Sequence, residues 1–209
     1  MTNNFEKIRN YMKALGIPEQ YKVNDNLYFD IQLIRRGKDH PNMPSANYTF
    51  KTYYVDSLEN YDKYREEIVK CCDMFYLRAY VSVNAKSKRE AALKTIQKYA
   101  ENLTNGEFRK PWRVFSSVCG GQDGEEKRWI VDIDNHSEFE PFVLKVKSII
   151  DMCAGVYEKN VITSLPTKSG CHIITHPFNL QQCQQLCKEY GIEPLDVKKN
   201  HITLLYENI

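Results

Sequence analysis

The chain has no apolar run approaching 18 residues, so no membrane-spanning helix is expected. It has no C-x-x-C pair, and its seven cysteines are an odd number. Both features disfavour an extracellular disulfide framework and point to a reducing, cytoplasmic setting. Residues 1–10 carry charges where a secretory leader has an apolar stretch, so secretion is not expected. No internal repeat or low-complexity segment is visible. An excess of one charge is lacking too. Lys and Arg number 29 and Asp and Glu 27, a net charge of +2. Such a balance neither demands nor excludes nucleic acid; only a clustered basic surface would speak for it. The composition is that of a globular protein, with 42% hydrophobic, 12% aromatic and 27% charged residues. A chain of 209 residues buries roughly 70% of its unfolded surface, so no metal or disulfide staple is needed.

Helical and extended patterns alternate along the chain. Residues 3–15 read as a helix ended by Gly16 and Pro18. Residues 27–35 and 48–55 read as strands joined by the polar loop Arg36 to Ala46. Residues 57–71 read as a helix opened by Ser57. Phe75, Leu77, Ala79, Val81 and Val83 alternate with polar neighbours, which is the period of a strand. Ser87 and Glu90 form a capping-box pattern before Ala92, Ile96, Tyr99 and Leu103. Residues 105–126 are rich in glycine and charge, with a short strand expected at Arg113 to Val118 and a hinge between lobes here. Beyond it lie a strand at 127–134, a helix capped by Ser137 and Glu140, strands at 160–165 and 171–176, a helix at 179–190 and a last strand at 200–206. Cys183 and Cys187, four apart, fall on the apolar face of their helix, as core thiols or, with His172 and His176, as zinc ligands. The fold class expected is α+β, an α/β sandwich.

Three segments carry chemistry. In Trp129-Ile130-Val131-Asp132-Ile133-Asp134, Asp132 and Asp134 project to one strand face, roughly 7 Å apart. Paired hard carboxylates suit Mg²⁺ or Mn²⁺, although a strand end meeting solvent has the same pattern. In Lys168-Ser169-Gly170-Cys171-His172, a small polar turn enters a strand. Lysine, hydroxyl, backbone amides and imidazole suit a phosphate, with glycine letting an anion approach; a plain hairpin turn is the alternative. The third segment, Leu195-Asp196-Val197-Lys198-Lys199-Asn200, says little by itself.

In this order the three segments resemble the motifs of the archaeo-eukaryotic primase superfamily, which includes primase-polymerases and the polymerase domains of bacterial end-joining ligases. The resemblance covers residues 127–205. It implies a two-lobed core, with an N-terminal α+β lobe over 1–118 and an RRM-like mixed-sheet lobe over 119–209. It implies that Asp132, Asp134 and Asp196 hold two divalent ions, Mg²⁺ or Mn²⁺, for nucleotidyl transfer from nucleoside triphosphates. His172, Lys168, Ser169, Gly170 and Asn200 would contact the nucleotide. Many relatives carry serine where Gly170 stands, and no zinc module or helicase segment accompanies the motifs. The implied partners are a single-stranded DNA template, a primer and a helicase or accessory primase subunit. The implied setting is replication of a phage, plasmid or mobile element. Arg78, Asn84, Lys86, Arg89 and Arg113 are candidate nucleic-acid contacts, as are basic residues interleaved with Tyr80, Phe108 and Trp112. A non-catalytic nucleotide- or nucleic-acid-binding subunit and a metal-dependent nuclease are the competing expectations.

Overall fold

The computed structural model describes residues 1–39, 46–134 and 139–208. Among these residues it is an α+β structure with six α-helices and two sheets, and every strand pair described is antiparallel. The strands are β1 (Thr2–Asn3), β2 (Leu27–Arg35), β3 (Tyr48–Val55), β4 (Arg78–Ser82), β5 (Lys86–Ser87), β6 (Trp129–Asp134), β7 (Val161–Pro166), β8 (Gly170–Thr175), β9 (Asp196–Lys199) and β10 (Ile202–Glu207). The helices are α1 (Phe5–Ala14), α2 (Leu58–Phe75), α3 (Lys88–Thr104), α4 (Pro111–Gly121), α5 (Phe139–Met152) and α6 (Leu180–Glu189).

The first sheet runs β1-β10-β4-β2-β3, with β5 on β2. Phe29, Ile31 and Leu33 of β2 alternate into one core with Ala79 and Val81 of β4. Phe5, Ile8 and Met12 of α1 and Leu58, Tyr61 and Ile68 of α2 close that core. Ser57 caps α2 by accepting from the Asn60 amide at 3.2 Å. That helix runs on to Phe75 and stops at Tyr76, in the left-handed region at φ 52°. The strand expected from Phe75 therefore begins only at Arg78.

The second sheet runs β7-β8-β6-β9. With α5 and α6 it has the chain order βαββαβ and the strand order of a split βαβ unit. The mixed sheet expected for this half is corrected to an antiparallel one. The helix-linked strands β6 and β7 would be the parallel pair, but β8 lies between them. Val131, Ile133, Cys171 and Ile173 face α5 and α6, where they meet Val146, Ile149, Cys183 and Cys187. Ile130, Leu165 and Ile174 point the other way and join the core of the first sheet. The last strand, β10, returns to the first sheet beside β4. The chain thus crosses between the sheets twice, and they share a core.

The strand expected at Arg113 to Val118 is instead part of α4. Pro111 sits at the start of that helix, where its missing N–H costs nothing. Val114 and Cys119 are its buried positions. Helix α3 lies largely open to solvent. Only Ala91 is buried, while Ile96 is 67% and Leu103 43% exposed. Ser87 does cap α3, accepting from the Glu90 amide at 3.1 Å. The Ser137 cap and most of the Arg36–Ala46 loop lie outside the described residues.

Candidate functional site

Strand register assembles the site. Asp132 on β6 stands opposite His172 on β8 and opposite Asp196 on β9. All three therefore share one face of the sheet, and Asp134, two residues along, shares it too. This face looks into a cleft of about 320 Å³ between the two sheets. The second sheet and its β7–β8 turn supply Asp132, Asp134, Lys168, Ser169, His172 and Lys198; the first sheet and its loops supply Arg36, Arg78 and Tyr80.

Asp132 is the hub. His172 Nε2 lies 3.3 Å from one carboxylate oxygen, and the Lys198 ammonium donates to the other. The His172 contact and then the Lys198 ammonium hold the Asp132 carboxyl far below the usual range, against the opposing effect of burial. On its other side His172 Nδ1 is 2.9 Å from the hydroxyl of buried Thr203 on β10, which fixes the ring between the two sheets. Lys198 also reaches Asp196 at 3.3 Å. Burial opposes its charge, yet Asp132 and Asp196 hold the ammonium pKa above its ordinary value. Two carboxylates on neighbouring strands thus share one cation. Asp134 is exposed at the mouth, whereas Asp196, also exposed, is not among the residues lining the cleft. Among the described residues no three His, Cys, Asp or Glu side chains close on one point as a ready metal cluster.

The β7–β8 turn closes through the Thr167 amide bonded to the Gly170 carbonyl at 2.9 Å, leaving Lys168 and Ser169 exposed at its tip. The reason for Gly170 is not the one the sequence suggested. A Cβ there would lie 1.8 Å from the Ile133 carbonyl oxygen and 3.0 Å from Asp134 Cα. The space is taken by strand β6, so glycine serves strand pairing rather than the approach of an anion.

Several other expected residues are engaged elsewhere. Asn200 sits in the left-handed region at φ 47°, bonded to Asp123 at 2.5 Å and Asn84 at 3.3 Å, and is not among the residues lining the cleft. Buried Asn84 accepts the Arg128 amide at 2.6 Å, a structural tie at the start of β6. Lys86 is buried, 2.6 Å from Asp30 and 2.8 Å from the Cys119 carbonyl. Neither Asn84 nor Lys86 is open to a nucleic acid, because each spends its polar atoms inside the fold. Arg78 lines the cleft but is held by Asp39 at 2.7 Å and Glu207 at 3.1 Å. Arg89 and Arg113 are exposed. Cys183 and Cys187 lie in the α5–α6 core, whereas His172 faces the opposite side of the sheet, so no zinc site joins them. His176 stacks on Tyr157 at 3.7 Å.

Sequence reasoning gives Thr203 no role, and places Arg36, Lys198 and Tyr80 only among the basic and aromatic residues suited to nucleic acid, not in the metal and nucleotide site. Arg36 donates to the Tyr80 hydroxyl at 3.2 Å inside the cleft. The period-two spacing of Asp196 and Lys198 was the available signal, but only once 196–199 is seen as a strand. No family model, curated protein or solved structure matches this chain.

Proposed function

We propose that the protein is a metal-dependent nucleotidyl transferase acting on nucleic acid, as a primase or primase-polymerase. The observation that carries this reading is the convergence of Asp132, Asp134, Asp196 and His172 on one sheet face, all but Asp196 lining the cleft. Four cationic side chains, Arg36, Arg78, Lys168 and Lys198, line that cleft with two carboxylates. Arg78 is paired with Asp39 and Glu207 and Lys198 with the carboxylates, so Arg36 and Lys168 are the cations that suit a triphosphate.

The donor set fits a divalent ion. Asp132 and Asp196 already share the Lys198 ammonium, so their oxygens converge on a single positive centre. They are hard ligands, and Asp134 adds a third carboxylate at the mouth. When bound, divalent ions supply Lewis-acid charge at the attacking and leaving oxygens. The chain does the rest. His172, pinned by Thr203, orients the Asp132 carboxylate. Lys168 and Arg36 approach the phosphates from opposite walls of the cleft. Asp132 and Asp196 would hold the ion, and Lys198, which they now share, would be free to meet a phosphate oxygen. The substrate 3′-hydroxyl oxygen bonds to the α-phosphorus and releases its proton to water. The bond from that phosphorus to the bridging oxygen breaks, and pyrophosphate leaves.

The test offers single-stranded template, with and without primer, labelled nucleoside triphosphates and Mn²⁺. Incorporation that disappears in Asp132→Ala supports the reading. Binding without incorporation by either protein refutes it and leaves a binding subunit. Shortening of the template without triphosphate points to a nuclease.

A further inference from the structure

The positive charge of this chain is concentrated away from the cleft. Residues 88–113 hold seven Lys and Arg against three Glu, a net +4 in a chain of net +2, so all other residues together carry −2. These residues form α3, the connecting loop and the first turn of α4. The two helices pack mainly on each other and reach the body through a small core of Ala91, Cys119 and Tyr28. Gln122, just past α4, anchors the base by accepting from the Tyr28 hydroxyl at 2.8 Å. The hairpin is therefore a basic arm standing on the first sheet.

At its tip, two aromatic side chains are turned outward. Phe108 is 86% and Trp112 61% exposed. The Arg113 guanidinium lies 5.5 Å from the Trp112 ring centre. Beside them Lys98, Phe108, Arg109, Lys110 and Arg113 border a hollow of about 450 Å³. Asn102 also lines this hollow, and its side-chain amide nitrogen has no hydrogen-bond partner among the described residues. Arg109 is partly neutralised by Glu107 at 2.7 Å. Exposed rings next to cations offer a π-face for bases and charge for phosphates, irrespective of base sequence.

We propose that the α3–α4 arm is a binding site for single-stranded nucleic acid, in which Phe108 and Trp112 stack bases and Lys98, Lys110 and Arg113 pair with phosphates. This site lies outside the cleft and does not depend on the nucleotidyl-transfer reading. Charge decides the occupant. An apolar protein segment would leave these cations unmatched, whereas a strand of phosphates neutralises them. The aliphatic stripe of Leu93 and Ile96 takes no part, because neither side chain lines the basic hollow.

The test measures fluorescence anisotropy of a labelled 12-nucleotide oligo-dT with the full chain, without nucleotide or divalent metal. Three to five phosphate contacts give a log–log salt slope of roughly −2 to −4. Phe108→Ala with Trp112→Ala should weaken binding roughly 10-fold or more. Both side chains are exposed, so the variant keeps its fold, and far-ultraviolet circular dichroism checks it. Lys98→Gln with Lys110→Gln should flatten the slope. Leu93→Ser with Ile96→Ser should bind as the parent does. The proposal is overturned by a slope near zero, or by parental affinity in the double aromatic variant. It is also overturned if Lys168→Gln, in the cleft, abolishes binding while the arm variants retain it. Loss in the Leu93/Ile96 variant alone would also overturn it, by placing the strand on that stripe and not on the basic hollow. Because the assay contains no triphosphate, failure here leaves the incorporation result untouched, and the reverse holds too.

Discussion

Replacing Gly170 by alanine strikes the fold and the site at one point. The added methyl would stand 1.8 Å from the Ile133 carbonyl oxygen and 2.9 Å from its carbon. Both are backbone atoms of the paired strand, so no side chain can swing aside. Gly170 is also in register with Asp134, and the next facing pairs are Cys171 with Ile133 and His172 with Asp132. Relief requires the end of β6 to part from β8. Parting forfeits one or two ladder hydrogen bonds, each worth about 1 kcal/mol. Overpacking adds about 1–3 kcal/mol. A total of about 3 kcal/mol lowers the melting temperature of a chain this size by about 6–12 °C. The assay is thermal unfolding followed by far-ultraviolet circular dichroism, with Ser169→Ala as a control. Ser169 is exposed at the turn tip, so its loss should change the midpoint by less than about 2 °C. A Gly170→Ala midpoint equal to that of the parent would refute the argument that strand pairing requires this glycine.

Other perturbations separate structural from chemical roles. Lys86→Met leaves the buried Asp30 carboxylate without its ammonium partner and should cost about 3–5 kcal/mol in urea unfolding. An unchanged midpoint would show that the ion pair is not buried as described. Lys198→Ala removes the cation shared by Asp132 and Asp196, so Mn²⁺ affinity measured by electron paramagnetic resonance should rise; a fall would mean that Lys198 helps to build the ion site rather than occupying it. Folding lowers the Asp132 carboxyl below its unfolded pKa of about 3.9. Its stabilising contribution is therefore complete above that value and disappears as pH drops through the folded pKa. Asp132→Asn should lose less stability than the parent on acidification below about pH 4, measured by urea midpoints; equal losses would remove Asp132 from the acid-sensitive groups.

The elements most legible in the sequence are those whose own side chains face a core. The alternation in β2 and β6 and the apolar stripe of α5 reflect burial on one face, and burial is what periodicity reports. The α3 stripe misleads for the same reason. Ile96 and Leu103 have helical spacing, but both stand exposed. In α4, Pro111 followed by residues of mixed propensity reads as a strand until the helix contacts Cys119 and Val114 are seen. Strand β9 escaped notice because Asp196 to Lys199 has few apolar residues and stands at a sheet edge. The acidic pair Asp132 and Asp134 was legible from local spacing alone. The roles of Asn84, Lys86 and Asn200 were not, because each is set by partners 44 to 116 residues away in sequence or by a buried ion pair. Lys198 shows the same limit, since its ammonium meets Asp132 only across a β6–β9 ladder that spacing does not announce.

The most direct measurement is single-turnover extension of a labelled primer by one nucleotide, comparing the parent with Asp132→Asn and Asp196→Asn in Mn²⁺ and in chelator. The account predicts extension by the parent in Mn²⁺, none in chelator, and losses of roughly 100-fold or more in each variant. Extension that persists in folded Asp132→Asn, or a folded parent that binds Mn²⁺ and triphosphate yet extends nothing, would contradict it.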